Sequence, residues 1–281
     1  MMKYNRLLCV GLTLALTLTG CGAGAAQPDP APAASPACPV PASEFDPLPP
    51  AESPVPTPDT SALALPTPEE GDYFDDALFV GDSIMEGIRQ YVAAQRQEGE
   101  MLGTAQFLTT TMGVSLADLV GDRANGVQFS YQGEERPLED IVADIAPRRV
   151  FLLLGLNDLA SDPDPSVEEV ANRYTRLILS LRSACPGVEF IVITNPPKAA
   201  SRWLPDYTVN RNFDNELIGA FVDELRAVCP EWNISYVDAY EALKDENGAL
   251  PDGCCRDGFV HLSHRGGAAV VEALEAFAQG R

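Results

Sequence analysis

The chain has 281 residues, of which 41 are acidic and 19 are basic, and its formal net charge at pH 7 is −22. Nucleic acids and anionic lipid surfaces are themselves negative, so this charge argues against binding to either. The length leaves room for one α/β domain with a full core.

The first twenty residues predict a secretory signal. Lys3 and Arg6 precede an apolar run over residues 7–18, which is too short for a comfortable membrane span. Small residues and Cys21 follow, and this ending resembles a bacterial lipoprotein signal. The resemblance implies that Cys21 is lipidated and anchors the mature protein outside the cytoplasm. An ordinary cleaved signal that ends near a cysteine is the alternative.

Residues 21–70 predict a disordered tether. Between Gly22 and Pro68 there is no Lys or Arg, and a proline occurs every few residues. Such a segment buries too little surface to fold, and its prolines keep it extended. One domain is therefore expected over residues 71–281.

The predicted domain begins with a strand that leads into a serine. Leu78 to Val80 predict a short strand buried on both faces, and Gly81 permits a sharp turn. Helical spacing starts at Ile84, so Ser83 lies between strand and helix, beside unpaired N–H groups and the positive end of a helix dipole. That position suits a nucleophile whose reaction develops an oxyanion. Gly-Asp-Ser is also a common capped turn, so the tripeptide alone leaves both readings open.

Strands and helices alternate through the rest of the domain. Further strands are predicted at Gly103–Thr110, Arg149–Leu154, Val188–Thr194 and Ile234–Val237, with a hairpin at Val127–Arg136. Helices are predicted from Leu116, over Leu138–Ile145, after a capping box of Ser166 and Glu169, over Phe213–Leu225 and over Arg265–Ala278. This order predicts an α/β fold, a three-layer α/β/α sandwich around a mostly parallel five-stranded sheet. Active residues should then lie at the carboxyl ends of the strands.

Four loops should meet at that edge of the sheet. Ser83 follows the first strand, Gly113 the second and Asn157 the third, while His261 lies after the last. The backbone N–H groups of Ser83 and Gly113 and the side-chain amide of Asn157 can point at one carbonyl oxygen. Together they would form an oxyanion hole.

The motifs at these positions resemble those of the SGNH/GDSL hydrolase family. They appear in the family's order and at its usual separations: Gly81-Asp82-Ser83, Gly113, Gly155-Leu156-Asn157-Asp158 and Asp257-Gly258-Phe259-Val260-His261. The resemblance covers the domain from Tyr73 onward and implies ester hydrolysis through an acyl-serine intermediate, without metal or organic cofactor. A nucleotide-binding flavodoxin-like domain is the alternative. The ordinary α/β-hydrolase elbow is disfavoured because Met85 stands where its second glycine belongs.

The resemblance also implies roles for three side chains. Ser83 would be the nucleophile, His261 the general base and Asp257 the carboxylate that orients the imidazole. The family usually places the aspartate three residues before the histidine, whereas Asp257 is four before His261. A bulge can absorb the extra residue, or a backbone carbonyl can orient His261 instead. His264 is a competing base, although the start of a helix disfavours an imidazolium.

The cysteines and histidines restrict other chemistry. Cys185 and Cys229 each precede a proline at the end of a predicted helix, so a disulfide and two buried thiols both remain open. The pairing of Cys254 and Cys255 is also open. Only two histidines exist, both in one short segment, and no metal site is predicted.

The favoured function is removal of O-acetyl groups from carbohydrate, because an anchored domain outside the cytoplasm meets cell-wall and other glycans. Trp203, Tyr207 and Phe213 would form one wall of a sugar-binding cleft, or else belong to the core. The alternatives are a lysophospholipase or thioesterase, an acyltransferase, and a glycan-binding lipoprotein with a degraded site. A monomer is expected, with a small-molecule or polysaccharide ester as substrate, no nucleic acid partner, and membrane contact through the anchor only.

Overall fold

The structure is a computed structural model that describes residues 71–110, 113–122, 127 and 129–281. The predicted signal, the lipidation of Cys21 and the tether lie outside the described residues and stay predictions. Within the described ranges, no helix combines the length and the apolar character that a membrane span requires.

A five-stranded parallel sheet forms the centre of the domain. Its strands, in spatial order, are β2 (Gln106–Thr109), β1 (Ala77–Gly81), β5 (Arg149–Leu153), β6 (Glu189–Ile193) and β7 (Ser235–Val237). Every neighbouring pair in this sheet is parallel. The remaining strands, β3 (Phe129–Tyr131) and β4 (Glu134–Arg136), form the predicted hairpin. The predicted α/β class and the five-stranded sheet are confirmed.

Helices surround the sheet in two packed groups. In chain order they are α1 (Ser83–Gln95), α2 (Leu116–Leu119), α3 (Leu138–Ile145), α4 (Leu156–Ser161), α5 (Val167–Ala184), α6 (Asn215–Glu231), α7 (Ala239–Leu243) and α8 (His264–Gln279). The first group consists of α1, α7 and α8, and the second of α5 with α2, α3 and α6. Each group buries its apolar faces toward the sheet, as a parallel sheet requires.

The core fixes the end of β1 tightly. All five residues of β1 are buried, and the Phe79 ring stacks on Phe151 of β5 with centroids 4.5 Å apart. A side chain at Gly81 would place its Cβ 2.5 Å from the Cβ of Met85 and 2.6 Å from the carbonyl oxygen of Leu153. Glycine at this position therefore lets the chain leave the strand and start α1 at Ser83.

Some boundaries differ from the expectation. The strand predicted from Gly103 begins only at Gln106, because the Arg96 guanidinium binds carbonyl oxygens of a loop that includes Leu102 and Ala105. Phe213 precedes α6 instead of lying in it, since Asp214 caps that helix. The short helices α4 and α7 are not predicted, because each is too short to show a helical period.

The capping box predicted at the start of α5 forms in one of its two halves. The Ser166 side chain accepts the Glu169 N–H at 3.2 Å, while the Glu169 carboxylate lies near Arg173.

Glu86 joins the first turn of α1 to the end of β2. Its carboxylate accepts bonds of 2.7 Å from Arg89 and 2.6 Å from the Thr109 hydroxyl. These donors, Arg89 foremost, lower its pKa from 4.5 to about 2 against the opposing effect of burial. Since the folded state holds the proton less tightly than the unfolded chain, this stabilisation is present above about pH 4.5 and is lost as pH falls toward 2.

We expect Glu86→Gln to lower the free energy of unfolding by about 2 kcal/mol at pH 7. The difference from the wild type should shrink steadily between pH 4.5 and pH 2, because the wild-type carboxylate becomes neutral there. Urea unfolding at several pH values measures this, with exposed Glu98→Gln as the control. A difference that stays constant with pH would contradict the assigned role.

Candidate active site

Ser83 is the first residue of α1 and lies where the structure joins strand to helix. Its Oγ is 2.9 Å from Nε2 of His261. Asp82 caps the helix by accepting the Ile84 N–H at 2.9 Å, which fixes the backbone on both sides of the serine. The Ser83 N–H has no acceptor within the helix because it belongs to the first helical residue. The strand and helix boundary predicted around Ser83 is confirmed.

His261 is held by the loop of residues 254–263, called the histidine loop below. The two sides of this loop pair like a hairpin, with the Ser263 N–H donating to the Cys254 carbonyl and the Arg256 N–H to the His261 carbonyl, both at 2.8 Å. The pairing closes a short turn that presents the imidazole toward Ser83.

Asp257 lies within hydrogen-bond reach of the other ring nitrogen. Its Oδ2 contacts Nδ1 of His261, while its Oδ1 accepts the Phe259 N–H at 2.9 Å. Gly258 has φ +74°, a left-handed conformation that favours glycine, and so turns the chain back. The extra residue between Asp257 and His261 is thus absorbed by the turn. Burial raises the pKa of Asp257, but the bonds from His261 and Phe259 outweigh it and hold the pKa below its ordinary value.

His264 occupies a different position. It is exposed as the first residue of α8, and its ring lies edge-on to Tyr91 with centroids 6.0 Å apart. Because the Ser83 hydroxyl pairs with His261, the alternative in which His264 is the base finds no support in this geometry.

Gly113 and Asn157 line the same cleft as Ser83 and His261. The Asn157 amide nitrogen donates to the Asp82 carboxylate and to the Val114 carbonyl, each at 2.9 Å. Both amide hydrogens are therefore engaged, whereas the sequence suggested a donor free for the substrate. A side chain at Gly113 would place its Cβ 3.3 Å from Oδ1 of Asn157, so glycine leaves room for the amide.

The cleft has a volume of about 500 Å³ and a lining of both polar and apolar residues. Tyr207 and Phe213, two of the three aromatic residues predicted to form a wall, line it together with Phe259. Trp203, the third, packs edge-on against Phe259 at 6.1 Å between centroids. Phe213 is also a core residue, at 2% exposure, so it serves both roles that the sequence left open.

Known protein families and structures were compared with this chain, whose cleft is lined by Ser83, Gly113, Asn157 and His261. A family model described as the GDSL-like lipase/acylhydrolase family matches residues 79–269. The chain belongs to this family. No curated protein matches the chain.

Solved structures similar to this GDSL-like acylhydrolase share its fold. A GDSL-like lipase from Bacteroides thetaiotaomicron is 14% identical, with 73% of this chain and 87% of that chain covered and a TM-score of 0.55. A lipase/acylhydrolase from Enterococcus faecalis is 18% identical, covering 73% and 96%, with a TM-score of 0.51. A catalytic mutant of an acetylxylan esterase from Geobacillus stearothermophilus is 17% identical, covering 72% and 93%, with a TM-score of 0.50.

Two carboxylates of this acylhydrolase support the cleft without a role having been predicted for them. Asp82 is 1% exposed, and burial raises its pKa to about 6 despite the bond from the Ile84 N–H. Asp158, also 1% exposed, accepts the N–H groups of Leu116 and Ala117 at 2.7 and 3.0 Å. Asp82 thus orients Asn157, and Asp158 fixes the start of α2 just after Gly113.

The positions of Asp82 and Asp158 in the sequence already indicate a structural role for both carboxylates. Each is an acidic residue inside a motif, next to Ser83 or Asn157 and close to a buried strand, where a buried charge needs hydrogen-bond donors. Their partners lie on other segments of the chain, which only the fold brings close.

The cysteines described here, Cys185, Cys229, Cys254 and Cys255, have free thiols. Burial raises the pKa of the Cys229 thiol to about 12, so it behaves as an inert core side chain. Among the residues that the structure describes, no group of His, Cys, Asp and Glu side chains is arranged to hold a metal ion.

Proposed function

We propose that the protein is a serine esterase in which Ser83, His261 and Asp257 form the catalytic triad. The observation that carries the proposal is the chain of contacts from Ser83 Oγ, 2.9 Å from His261 Nε2, through the imidazole to Asp257, at the wall of a cleft. A hydroxyl, a base and a carboxylate in this order fit acyl transfer.

The mechanism follows from these contacts. His261 Nε2 takes the Ser83 proton as Oγ attacks the ester carbonyl, and the Asp257 carboxylate stabilises the imidazolium. The alcohol leaves with that proton, and water then hydrolyses the acyl-serine by the same route. The N–H groups of Ser83 and Gly113 would stabilise the oxyanion. The Asn157 amide would join them by exchanging its bond to Val114 for one to the substrate.

The preferred substrate in this proposal is an O-acetylated carbohydrate. Trp203 and Tyr207 remain 53% and 64% exposed, although each packs edge-on to the buried ring of Phe259. Exposed flat rings held by a rigid neighbour suit the apolar face of a sugar. The acetylxylan esterase noted above, which shares this fold, supports the choice. The predicted N-terminal signal and the predicted lipidation of Cys21 support a setting outside the cytoplasm, where glycans occur.

We expect kcat/KM for p-nitrophenyl esters to fall by about tenfold or more from acetate to octanoate. In this proposal the leaving alcohol occupies the part of the cleft of about 500 Å³ that Phe213 and Phe259 line, so an octanoyl chain would have to extend into solvent. Initial rates across acetate, butyrate and octanoate measure this, and release of acetate from acetylated xylan tests the carbohydrate.

The opposite trend would contradict the deacetylase proposal. A rate that rises with chain length would identify a lipid acyl hydrolase. Transfer of the acyl group to an added sugar in preference to water would identify an acyltransferase. An inert protein would indicate a binding function.

A further inference from the structure

A second pocket adjoins the catalytic cleft, and Phe213 is a lining residue of both. Its volume is about 400 Å³, and its lining includes Lys198, Arg202 and Arg211. We call it the cationic pocket. The chain carries a net charge of −22, so three cationic side chains around one pocket stand out against the rest of the protein.

The two arginines of this pocket differ from most others in the domain. Several arginines elsewhere pair with carboxylates, as Arg89 does with Glu86 and Arg149 with Glu189. Within the part of the chain that the structure describes, no carboxylate lies within ion-pair distance of Arg202 or Arg211. Both are exposed and able to reach a ligand.

Lys198 forms the buried part of the pocket. It is only 5% exposed, and its ammonium donates to backbone carbonyls of Ala199 and Ser201. Burial lowers the pKa of Lys198, with Asp214 and Cys255 opposing the effect only in part. A bound anion would offset the cost of burying this charge.

The one carboxylate in the lining is already engaged. Asp214 Oδ1 accepts the N–H groups of Glu216 and Leu217 at 3.0 Å, so it serves as the cap of α6. The helix dipole of α6 opens toward the pocket and partly compensates this negative charge. The pocket therefore keeps a positive balance.

The pocket is also joined to the histidine loop. The Ala199 N–H donates to the Phe259 carbonyl at 2.7 Å, and the Lys198 ammonium lies 5.9 Å from the centroid of the Phe259 ring. Phe259 is two residues from His261 and lines the catalytic cleft. A ligand that extends from Ser83 past Phe213 and Phe259 would thus meet Lys198 and the two arginines.

We propose that the cationic pocket binds an anionic group of the substrate, so that the enzyme prefers acetyl esters of acidic carbohydrates. This inference rests on the proposed function and specifies, in addition, that the carbohydrate substrate is negatively charged. Carboxylates of uronic acids and phosphates of sugar phosphates share the required chemistry. Arg202 and Arg211 would be specificity-determining residues that bind the anion without touching the reacting atoms.

The test compares kcat/KM for acetylated methyl glucuronide with that for acetylated methyl glucoside. The wild-type full chain should prefer the acid by about tenfold at low salt, and added NaCl should reduce the preference. The double variant Arg202→Ala/Arg211→Ala should lose this ratio, mainly through KM. Arg265→Ala, which removes an exposed cation at the start of α8, should keep both rates.

A wild type without preference, or a double variant that keeps the ratio, would overturn the proposal. An acetylated sugar phosphate forms a further arm. If kcat/KM is higher for the acetylated sugar phosphate than for the uronide, the result supports anion binding in the cationic pocket and assigns phosphate as the anion.

Direct binding separates this inference from the proposed function. Calorimetry with the Ser83→Ala full chain should show tetragalacturonate binding at least about tenfold more tightly than neutral xylotetraose. The difference should vanish when Arg202→Ala/Arg211→Ala is added. If the wild type failed to cleave any acetyl ester, the proposed function would fall, yet this difference would still support the pocket, and its absence would refute it.

Discussion

Ser83→Ala should lower kcat for p-nitrophenyl acetate by at least about 10⁴-fold. Without the hydroxyl that lies 2.9 Å from His261 Nε2, no acyl-serine can form. The residual rate would come from the oxyanion donors and from a water activated by His261, which together give only a small part of the acceleration. Steady-state kinetics of the full chain measures the loss.

Two controls keep this result specific. Ser130→Ala changes an exposed serine of the β3–β4 hairpin and should keep the wild-type rate. A fluorophosphonate should attach to one serine of the wild type, identified by peptide mass spectrometry as Ser83, and should not label Ser83→Ala. A variant that retains more than a tenth of the activity, with the same thermal unfolding as the wild type, would show that the nucleophile is elsewhere.

Asp257→Asn should lower kcat by about 10²- to 10³-fold with little change in KM. An amide facing Nδ1 of His261 favours the tautomer with the proton on Nε2, which cannot accept the proton of Ser83. The loss should be smaller than the roughly 10⁴-fold reported for a buried triad aspartate. The Asp257 side chain is 31% exposed, so water partly replaces its charge.

A comparison of Asp257→Asn with Asp257→Ala separates the role of Asp257 in catalysis from its role in stabilising the histidine loop. Asn keeps an oxygen for the Phe259 N–H, which Oδ1 of Asp257 accepts at 2.9 Å, whereas Ala loses it. Equal loss of kcat in both variants, with unfolding temperature reduced only in Asp257→Ala, is the expected result. Asp252→Asn, exposed and just before the histidine loop, should leave kcat unchanged. A loss below about threefold in Asp257→Asn would mean that another group orients His261.

The parts of the site that depend on a few neighbouring residues were predictable from the sequence. The apolar run before Gly81 and the helical spacing after Ser83 define a strand, a turn and a helix. Parallel strands bring their carboxyl ends to one edge, so the order of the strands alone places Asn157 and His261 near Ser83. The spacing of Asp257 and His261 left the contact between them undecided, because its outcome depends on the left-handed turn at Gly258.

The fold class, the family motifs and the loops that carry them can be predicted from the amino-acid sequence, because hydrophobic period and turn residues act over a few neighbouring positions. The contacts that the side chains make in these loops follow from the three-dimensional packing. The Asn157 amide is engaged by Asp82, Asp158 holds the start of α2, and Arg202 and Arg211 face a pocket beside the cleft. Such contacts join residues far apart in the chain, and their distances follow from how helices pack on the sheet, which no local pattern encodes.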